Sequence, residues 1–256
     1  MPATPRAAHA LRLICRHKRI FLLSLGFLSR LGPAMHATAD EMRLACVYYP
    51  AVGAVIGAVS VLPILFDCFA EQVWIQAWLY VLLLSWLTRG LHLDGLADLA
   101  DALGSAANGE AFYSVLKDSR TGAFGCAALI MALSGQLVLA AACLERGSLV
   151  PLVCAPVFGR CLPILLSCVA PRHPKASLGA LPASAPRAPA LLVAAVSLLT
   201  VLFRLPLSAA FLSLAQVFVC LMLLRRIALR QGGYNGDFCG FAVVVGEIAL
   251  LLAASV

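Results

Sequence analysis

The sequence predicts an all-α integral membrane protein, a polytopic helical bundle of about seven transmembrane helices. Hydrophobic residues make up 62% of the chain and charged residues 12%, and the mean hydropathy is +0.96, whereas soluble domains carry about 25% charged residues. The apolar residues also gather into runs close to the ~20 residues that cross a bilayer. This composition excludes a soluble globular protein, and we expect one membrane domain over residues 1–256.

Seven apolar runs are candidate spans. Six spans are the alternative, because only residues 204–206 separate the fifth run from the sixth, and those two could form a helical hairpin that does not cross fully. In the first run, Gly53 and Gly57 form a small-xxx-small pair, which favours close helix packing. The runs are 47–66, 73–87, 122–144, 149–170, 190–203, 207–224 and 238–256.

The N-terminal segment is rich in arginine and lysine before a short apolar run at 20–28. This order superficially resembles a signal peptide. However, Arg30 and Pro33 follow the run where a small-residue cleavage site would be expected. We therefore expect an uncleaved, short interfacial helix at the N-terminus.

The net charge of +7 is spread over the ends of the apolar runs. The positive-inside effect explains that distribution better than nucleic-acid binding does. Arg160 lies within a predicted span and is not counted. Of the other lysines and arginines, Arg146 and Arg204 fall on one side of the membrane, and all the rest fall on the opposite side, which is therefore predicted to be cytoplasmic. We predict a multi-pass protein of the cytoplasmic (inner) membrane, with active-site loops at about 88–121 and 225–237 facing the cytoplasm.

An acidic stripe lies in the first of these loops. Asp94, Asp98 and Asp101 occupy positions i, i+4 and i+7, which fall within roughly a 60° arc of one helix face. Three carboxylates this close repel one another unless a cation lies between them, and hard divalent metals with oxygen ligands are the usual solution. We therefore predict Mg²⁺ ligands here, with a solvated acidic face between two membrane helices as the alternative.

A second charged cluster follows at Lys117-Asp118-Ser119-Arg120. Asp118 is a candidate further metal ligand or general base, and Lys117 and Arg120 could hold phosphate oxygens by charge-assisted hydrogen bonds. Metal ligands, cationic donors and a base are the set that a phosphoryl-type transfer requires. The alternative is an ordinary charged loop that caps the helix beginning near Gly122.

A glycine-rich segment joins the last two predicted spans. Its glycines permit positive φ and close approach of the backbone to a ligand, although a helix C-cap followed by a turn would use the same residues. Asp237 is either a metal ligand or the N-cap of the last helix. The candidate substrate-binding residues of this segment are Gly232, Gly233, Asn235 and Gly236.

Three further polar residues fall at apolar positions. His92 points some 160° away from Asp94 on a helix, which favours a packing or hydrogen-bonding role over that of a base. Arg160 and Glu247 lie within predicted spans, where ionisable groups usually face the protein interior. They are expected to pair with each other or to line the site from below.

The stretch His92-Leu93-Asp94-Gly95-Leu96-Ala97-Asp98, completed by Asp101, resembles the signature of the cobalamin synthase family, the adenosylcobinamide-GDP ribazoletransferases. Asp118-Ser119-Arg120-Thr121-Gly122 and Gly232-Gly233-Tyr234-Asn235-Gly236-Asp237 resemble two further segments of that family. Their order and spacing fit as well. With weaker likeness between residues 27 and 53, the resemblance covers nearly the whole chain.

The resemblance implies an enzyme of cobalamin (vitamin B12) biosynthesis. Its substrates would be adenosylcobinamide-GDP and α-ribazole or α-ribazole 5′-phosphate, its products adenosylcobalamin or the 5′-phosphate and GMP, and its cofactor Mg²⁺. The ribazole hydroxyl would attack the phosphorus attached to cobinamide. The sequence leaves open the form of the acceptor and whether the protein is a homo-oligomer.

The sequence departs from the family pattern at four positions, none of which removes a carboxylate. Arg89 stands where a glycine is usual and could add a phosphate contact. Leu99 and Ala102 replace the usual Thr and Gly near the last aspartate of the stripe, and Asn235 replaces Thr. The lost hydroxyls affect the fine positioning of groups in the site.

Two rival functions share parts of this pattern. A CDP-alcohol phosphotransferase also uses clustered aspartates and Mg²⁺, but its pattern requires Asp-x-x-Asp-Gly-x-x-Ala-Arg. Here Gly95 is followed by Leu96-Ala97-Asp98, so the arginine is missing. A membrane transporter would place ionisable residues at depth, yet the carboxylates cluster at the predicted cytoplasmic face.

Overall fold

The computed structural model describes residues 5–176 and 178–256, with side chains described for 11–176 and 181–256. Within these ranges the chain is all-α, as predicted, and the described residues form no strand beyond an isolated bridge between Arg172 and Tyr234. The helices are α1 (Pro5–Leu28), α2 (Ala39–Ala45), α3 (Tyr49–Ser60), α4 (Leu62–Leu65), α5 (Val73–Leu87), α6 (Leu91–Gly104), α7 (Glu110–Val115), α8 (Ala123–Glu145), α9 (Val150–Val169), α10 (Arg187–Leu202), α11 (Leu207–Gln231) and α12 (Gly236–Ala254).

Each predicted span contains a helix, and the first, 47–66, covers two, α3 and the short α4, which are separated at Val61. Five helical stretches are long and apolar enough to cross a membrane: 39–60, α8, α9, α11 and α12; α5 and α10 are shorter apolar helices. The first span begins earlier than predicted, because Thr38 and Glu41 form a capping box that starts α2. The sixth continues to Gln231, so much of the predicted loop 225–237 is the end of α11.

The N-terminal helix is longer than the short one predicted. α1 is helical from Pro5 to Leu28 and so includes the basic stretch before the apolar run. Arginine, lysine and alanine are strong helix formers, which explains why the helix extends that far. It packs on α2, where Arg19 pairs with Glu41 at 2.7 Å.

The centre of the bundle is built on α9 and α12, which are the most buried of the long helices. The predicted glycine pair on α3 packs here: a Cβ at Gly53 would collide with the Pro156 carbonyl, and one at Gly57 with the Val153 carbonyl. On a different side of α9, a Cβ at Gly159 would lie 2.6 Å from Val243 O of α12. Small residues therefore allow α9 to pack closely between two helices.

A proline inside α9 is compensated from α5. Pro156 has no N–H, so the carbonyl of Leu152 lacks its helical donor. The hydroxyl of buried Tyr80 donates to that oxygen at 2.9 Å. The hydrogen bond satisfies a buried carbonyl and fixes α5 against α9.

An ion pair lies at the middle of the bundle. Arg160 of α9 donates from Nη1 to Glu247 Oε1 of α12 at 3.0 Å, and Gln136 of α8 donates to the other carboxylate oxygen at 3.0 Å. Arg160 is 0% exposed and Glu247 4%. The predicted pairing of these two residues is confirmed, and it connects three spans.

Candidate active site

Three chain segments meet at one end of the bundle, beside the starts of α8 and α12. Residues after α9 run alongside the glycine-rich segment: Tyr234 N donates to Pro171 O at 2.8 Å, and His173 N donates to Tyr234 O at 2.9 Å. Tyr113 of α7 donates its hydroxyl hydrogen to Gly233 O, and its ring stacks on His173 at 3.8 Å between centroids. The glycine-rich segment, α7 and the residues after α9 are far apart in sequence and are joined at this end of the bundle.

The acidic stripe is on α6, which follows α5 after a sharp break. Arg89 (φ 58°) and Gly90 (φ 68°) both adopt the left-handed conformation at this break, which explains why glycine suits position 89. Further along, a Cβ at Gly95 would lie 3.0 Å from Asp237 Cα. The close crossing of α6 and α12 at this glycine brings Asp94 and Asp237 to the same region.

Asp98 is half-buried within the acidic group. Burial, followed by the negative charges of Asp94, Asp237 and Asp101, raises the pKa of its carboxyl to about 7. Like charges and partial desolvation both penalise the ionised form. A bound cation would relieve both penalties, so this environment suits a cation.

Asp101 caps helix α8. Its Oδ2 accepts a hydrogen bond from Gly122 N at 2.7 Å, and its Oδ1 accepts one from Gly125 N at 2.8 Å. Gly122 is the N-cap position of α8 and has no side chain of its own to fill that role. The carboxylate therefore satisfies free amides and lies at the positive end of the helix dipole. The helix beginning near Gly122 is capped by the stripe itself and not by the 117–120 cluster.

Among the described residues, no group of three His, Cys, Asp or Glu side chains converges closely enough to hold a metal ion. Asp101 faces the α8 amides, and Asp237 is held by Asn235. Asp94 is exposed and accepts no side-chain hydrogen bond within the described part of the chain. The four predicted ligands are therefore neighbours but not a preassembled coordination shell.

The glycine-rich segment ends one helix and starts the next. Gly232 (φ 86°) is the C-cap of α11, and Gly233 (φ 136°) lies so close to the backbone of His173 that a Cβ would collide with it. Asn235 is the N-cap of α12, accepting from Asp237 N at 3.2 Å. The prediction that Asp237 itself could be the N-cap is wrong, because Asn235, which replaces the family's Thr, takes that role. The Asp237 carboxylate instead accepts from Asn235 Nδ2 at 2.6 Å.

Asp118 and Arg120 are paired with each other. Arg120 Nη2 donates to Asp118 Oδ2 at 2.7 Å, and Arg120 N donates to Oδ1 at 3.0 Å. The Arg120 side chain holds the pKa of Asp118 at about 2, far from the value that suits a general base near neutral pH. In this arrangement Asp118 orders its own loop, while its predicted catalytic role stays a prediction.

Arg89 is also engaged in a structural contact. Its Nη2 donates to the carbonyls of Gly26 and Phe27 at 2.7 and 2.9 Å. These carbonyls end α1, so the guanidinium caps that helix at its negative end. The contact joins α1 to the break before α6, and the predicted phosphate contact stays a prediction.

Two recesses meet at Gly236 and Asp237. The polar cleft, about 480 Å³, opens on one side of them and is lined by Tyr113, Lys117, His173, Lys175 and Asn235 among others. The inner cavity, about 240 Å³, lies on the other side and extends down to Arg160. Arg160 thus both pairs with Glu247 and lines the site from below, as the sequence suggested.

Three residues that line the polar cleft were not predicted from the sequence: His173, Lys175 and Tyr113. Burial lowers the pKa of His173, as do the charges of Lys175 and Lys117, so the polar cleft has a cationic wall. No pattern marked these residues, since His173 and Lys175 lie in the connector after α9. The basic character of that connector was the only available signal.

The chain matches the model of a known protein family, described as cobalamin-5-phosphate synthase, over residues 20–255. A relative named adenosylcobinamide-GDP ribazoletransferase, from Nitratidesulfovibrio vulgaris (strain DP4), is 43% identical over 235 residues, which cover 91% of this chain and 96% of the relative. Relatives with the same name come from Nitratidesulfovibrio vulgaris (strain DSM 19637 / Miyazaki F), 41% identical over 94% of this chain and 96% of the relative, and from Leptothrix cholodnii, 32% identical over 91% and 94%. No solved structure matches with significance. The chain therefore belongs to the cobalamin-5-phosphate synthase family.

Proposed function

We propose that this protein is an adenosylcobinamide-GDP ribazoletransferase that joins adenosylcobinamide-GDP to α-ribazole or α-ribazole 5′-phosphate. The observation that carries the proposal is the meeting of the acidic stripe with the basic polar cleft at Asp237, within a chain 43% identical to a relative of that name. Carboxylates beside cationic donors suit a substrate whose reacting part is a diphosphate.

In this reaction a ribazole hydroxyl oxygen forms a bond to the phosphorus attached to cobinamide. The bond from that phosphorus to the bridging oxygen breaks, and GMP leaves with that oxygen. The hydroxyl proton passes to a base. Arg120 holds the pKa of Asp118 at about 2, so Asp118 would accept that proton only after its pairing with Arg120 is released.

The polar cleft would bind the diphosphate end of adenosylcobinamide-GDP. Lys117 and Lys175 place two ammonium groups on its wall, and Asn235 and Gly236 lie beside Asp237 at its inner edge. Lys175 pairs with Glu110 at 3.1 Å, but both side chains are exposed at 71% and 93%. Such a pair is weak, so it leaves the ammonium free to bind a phosphate.

The aspartates fit Mg²⁺ held together with the substrate. Asp94 is exposed and Asp98 is destabilised as an anion, whereas Asp101 and Asp237 already accept hydrogen bonds. Mg²⁺ usually takes one or two protein carboxylates and completes its shell with water and phosphate oxygens. When bound, it would neutralise the diphosphate and stabilise charge on the departing GMP. Asp94 and Asp98 would hold it, with Asp237 as the third candidate.

The site would face the cytoplasm in the cytoplasmic (inner) membrane. The end of the bundle that carries the acidic stripe also carries the basic residues after α9 and at the end of α11. Only Arg146 and Arg204 lie in the loops at the other end. The positive-inside effect supports this orientation, and a nucleotide substrate requires it.

The test is incubation of the detergent-purified protein with adenosylcobinamide-GDP, α-ribazole and Mg²⁺, followed by chromatography for GMP and a cobalamin product. We expect both products, and their loss on chelation of Mg²⁺. Asp94→Asn and Asp98→Asn should each lower kcat at least about 100-fold, since each removes a ligand charge at nearly constant volume. Asp67→Asn is the matched control, because Asp67 lies at the other end of the bundle with φ 52°, a conformation that Asn tolerates.

Absence of GMP with wild-type protein would refute the transferase assignment. Uptake of a solute into sealed vesicles without a nucleotide product would favour the transporter instead. If Asp94→Asn and Asp98→Asn both turned over like the Asp67→Asn control, the stripe would be only a solvated acidic face.

A further inference from the structure

We propose that the inner cavity binds the acceptor, with the flat base of the ribazole inserted toward Arg160 and His92. The proposal rests on the proposed function and assigns one of its two substrates to a defined recess. Five helices line the cavity: Phe27 comes from α1, Tyr49 from the start of α3, His92 from α6, Arg160 from α9 and Val243 from α12.

Two residues that line the cavity carry buried nitrogens without hydrogen-bond partners. Arg160 uses Nη1 for Glu247 and for Pro156 O, both at 3.0 Å. Its Nε and Nη2 are buried and have no partner among the described residues, and the same holds for His92 Nε2. Buried polar nitrogens are normally hydrogen-bonded. Both residues line this one cavity, so a ligand that offers acceptor atoms would satisfy them.

The walls of the cavity are aromatic and apolar. Phe27 and Tyr49 lie 6.4 Å apart between ring centroids with an angle of 21° between their planes, and Leu28, Pro163 and Val243 complete the wall. Near-parallel rings favour a planar aromatic guest. The base of a ribazole is a flat, bicyclic, largely apolar ring system whose unsubstituted ring nitrogen accepts a hydrogen bond.

The donor substrate does not fit this recess. A corrin with its amide side chains is far larger than about 240 Å³. The GDP moiety would bring phosphates against Asp94 and Asp237, and the guanidinium that lines the cavity, Arg160, is already paired with Glu247. Two lysines line the polar cleft instead. Like charges in contact repel, so the nucleotide belongs in the cleft and the smaller, uncharged base in the cavity.

The mouth of the cavity is where the two substrates would meet. Asp237 and Gly236 line both the cavity and the polar cleft. A base held at Arg160 would leave its ribose beside Asp94 and Asp237. A ribose hydroxyl at that mouth would lie next to the inner edge of the polar cleft, and a direct transfer requires it to come within about 3–3.5 Å of the phosphorus.

The test is steady-state kinetics on Phe27→Trp, which partly fills the cavity. The matched control is Phe21→Trp, because Phe21 is a partly buried residue on the same helix that packs against Tyr48 and does not line the cavity. We expect Phe27→Trp to raise KM for α-ribazole about tenfold while KM for adenosylcobinamide-GDP changes less than about twofold. Phe21→Trp should leave both KM values unchanged.

A second variant keeps the proposal testable if Phe27→Trp does not fold. His92→Asn removes the imidazole Nε2 and should also raise KM for α-ribazole, by about threefold or more. Equilibrium binding of α-ribazole alone to wild type and to this variant should show the same loss. If both variants keep the wild-type KM for α-ribazole, or if KM for adenosylcobinamide-GDP rises instead, the cavity holds only water and the proposal is overturned. Failure of the proposed function is distinct, because wild type would then release no GMP.

Discussion

Replacement of Asp101 tests whether its carboxylate stabilises the protein by capping helix α8. Its carboxylate accepts hydrogen bonds from two amides at the start of α8, and each charged hydrogen bond contributes about 1.5–3 kcal/mol when well buried. Asp101 is only partly buried, so we expect Asp101→Ala to cost about 2 kcal/mol, near the upper value for a lost cap. Asp101→Asn keeps one oxygen acceptor and should cost about half as much.

The measurement is the thermal midpoint of the purified protein in one detergent at one scan rate. At about 2–4 °C per kcal/mol for a chain of this size, Asp101→Ala should lower the midpoint by about 4–8 °C. Asp94→Ala is the matched control, because this exposed carboxylate accepts no side-chain hydrogen bond in the described part of the chain. Its removal also relieves repulsion with Asp98, so its midpoint should stay within about 1 °C of wild type.

An independent variant tests the same contact from the other side. A Cβ at Gly125 would collide with the Asp101 carboxylate and lie 3.0 Å from Ala97 O. Alanine is normally the better helix former by about 1 kcal/mol, yet Gly125→Ala should lower the midpoint. Equal midpoints for Asp101→Ala and Asp94→Ala, or a stabilised Gly125→Ala, would refute the capping argument.

Two further predictions concern the core and the topology. Tyr80→Phe leaves the Leu152 carbonyl without its donor and should lower stability by about 1–2 kcal/mol, which the same thermal assay would detect as a lower midpoint; an unchanged midpoint would mean that water replaces the hydroxyl. In a cysteine-free background, a cysteine at Ser148 should react with a membrane-impermeant thiol reagent on intact cells, and one at Ser105 only after permeabilisation. Ser177, a third candidate position on the cytoplasmic face, lies outside the described residues. Labelling at Ser105 in intact cells would reverse the orientation.

The sequence by itself determined the features that depend on local patterns. Hydropathy predicted the all-α membrane bundle and its spans, because a helix that crosses lipid must be apolar over most of its length. The spacing of the three aspartates predicted a shared face on one helix, and α6 does carry them. The glycine pair at Gly53 and Gly57 predicted close helix packing, because two glycines on one helix face can be recognised in the sequence whichever helix packs against them.

Only the tertiary structure decided how the charged residues divide their roles. Asp101 caps α8 and Arg89 caps the end of α1, contacts that join residues far apart in sequence. His173 and Lys175 line the polar cleft because the segment that carries them is hydrogen-bonded to the glycine-rich segment. A periodic pattern records which face of its own helix a residue occupies, but the partner that meets that face is set by the packing of other helices.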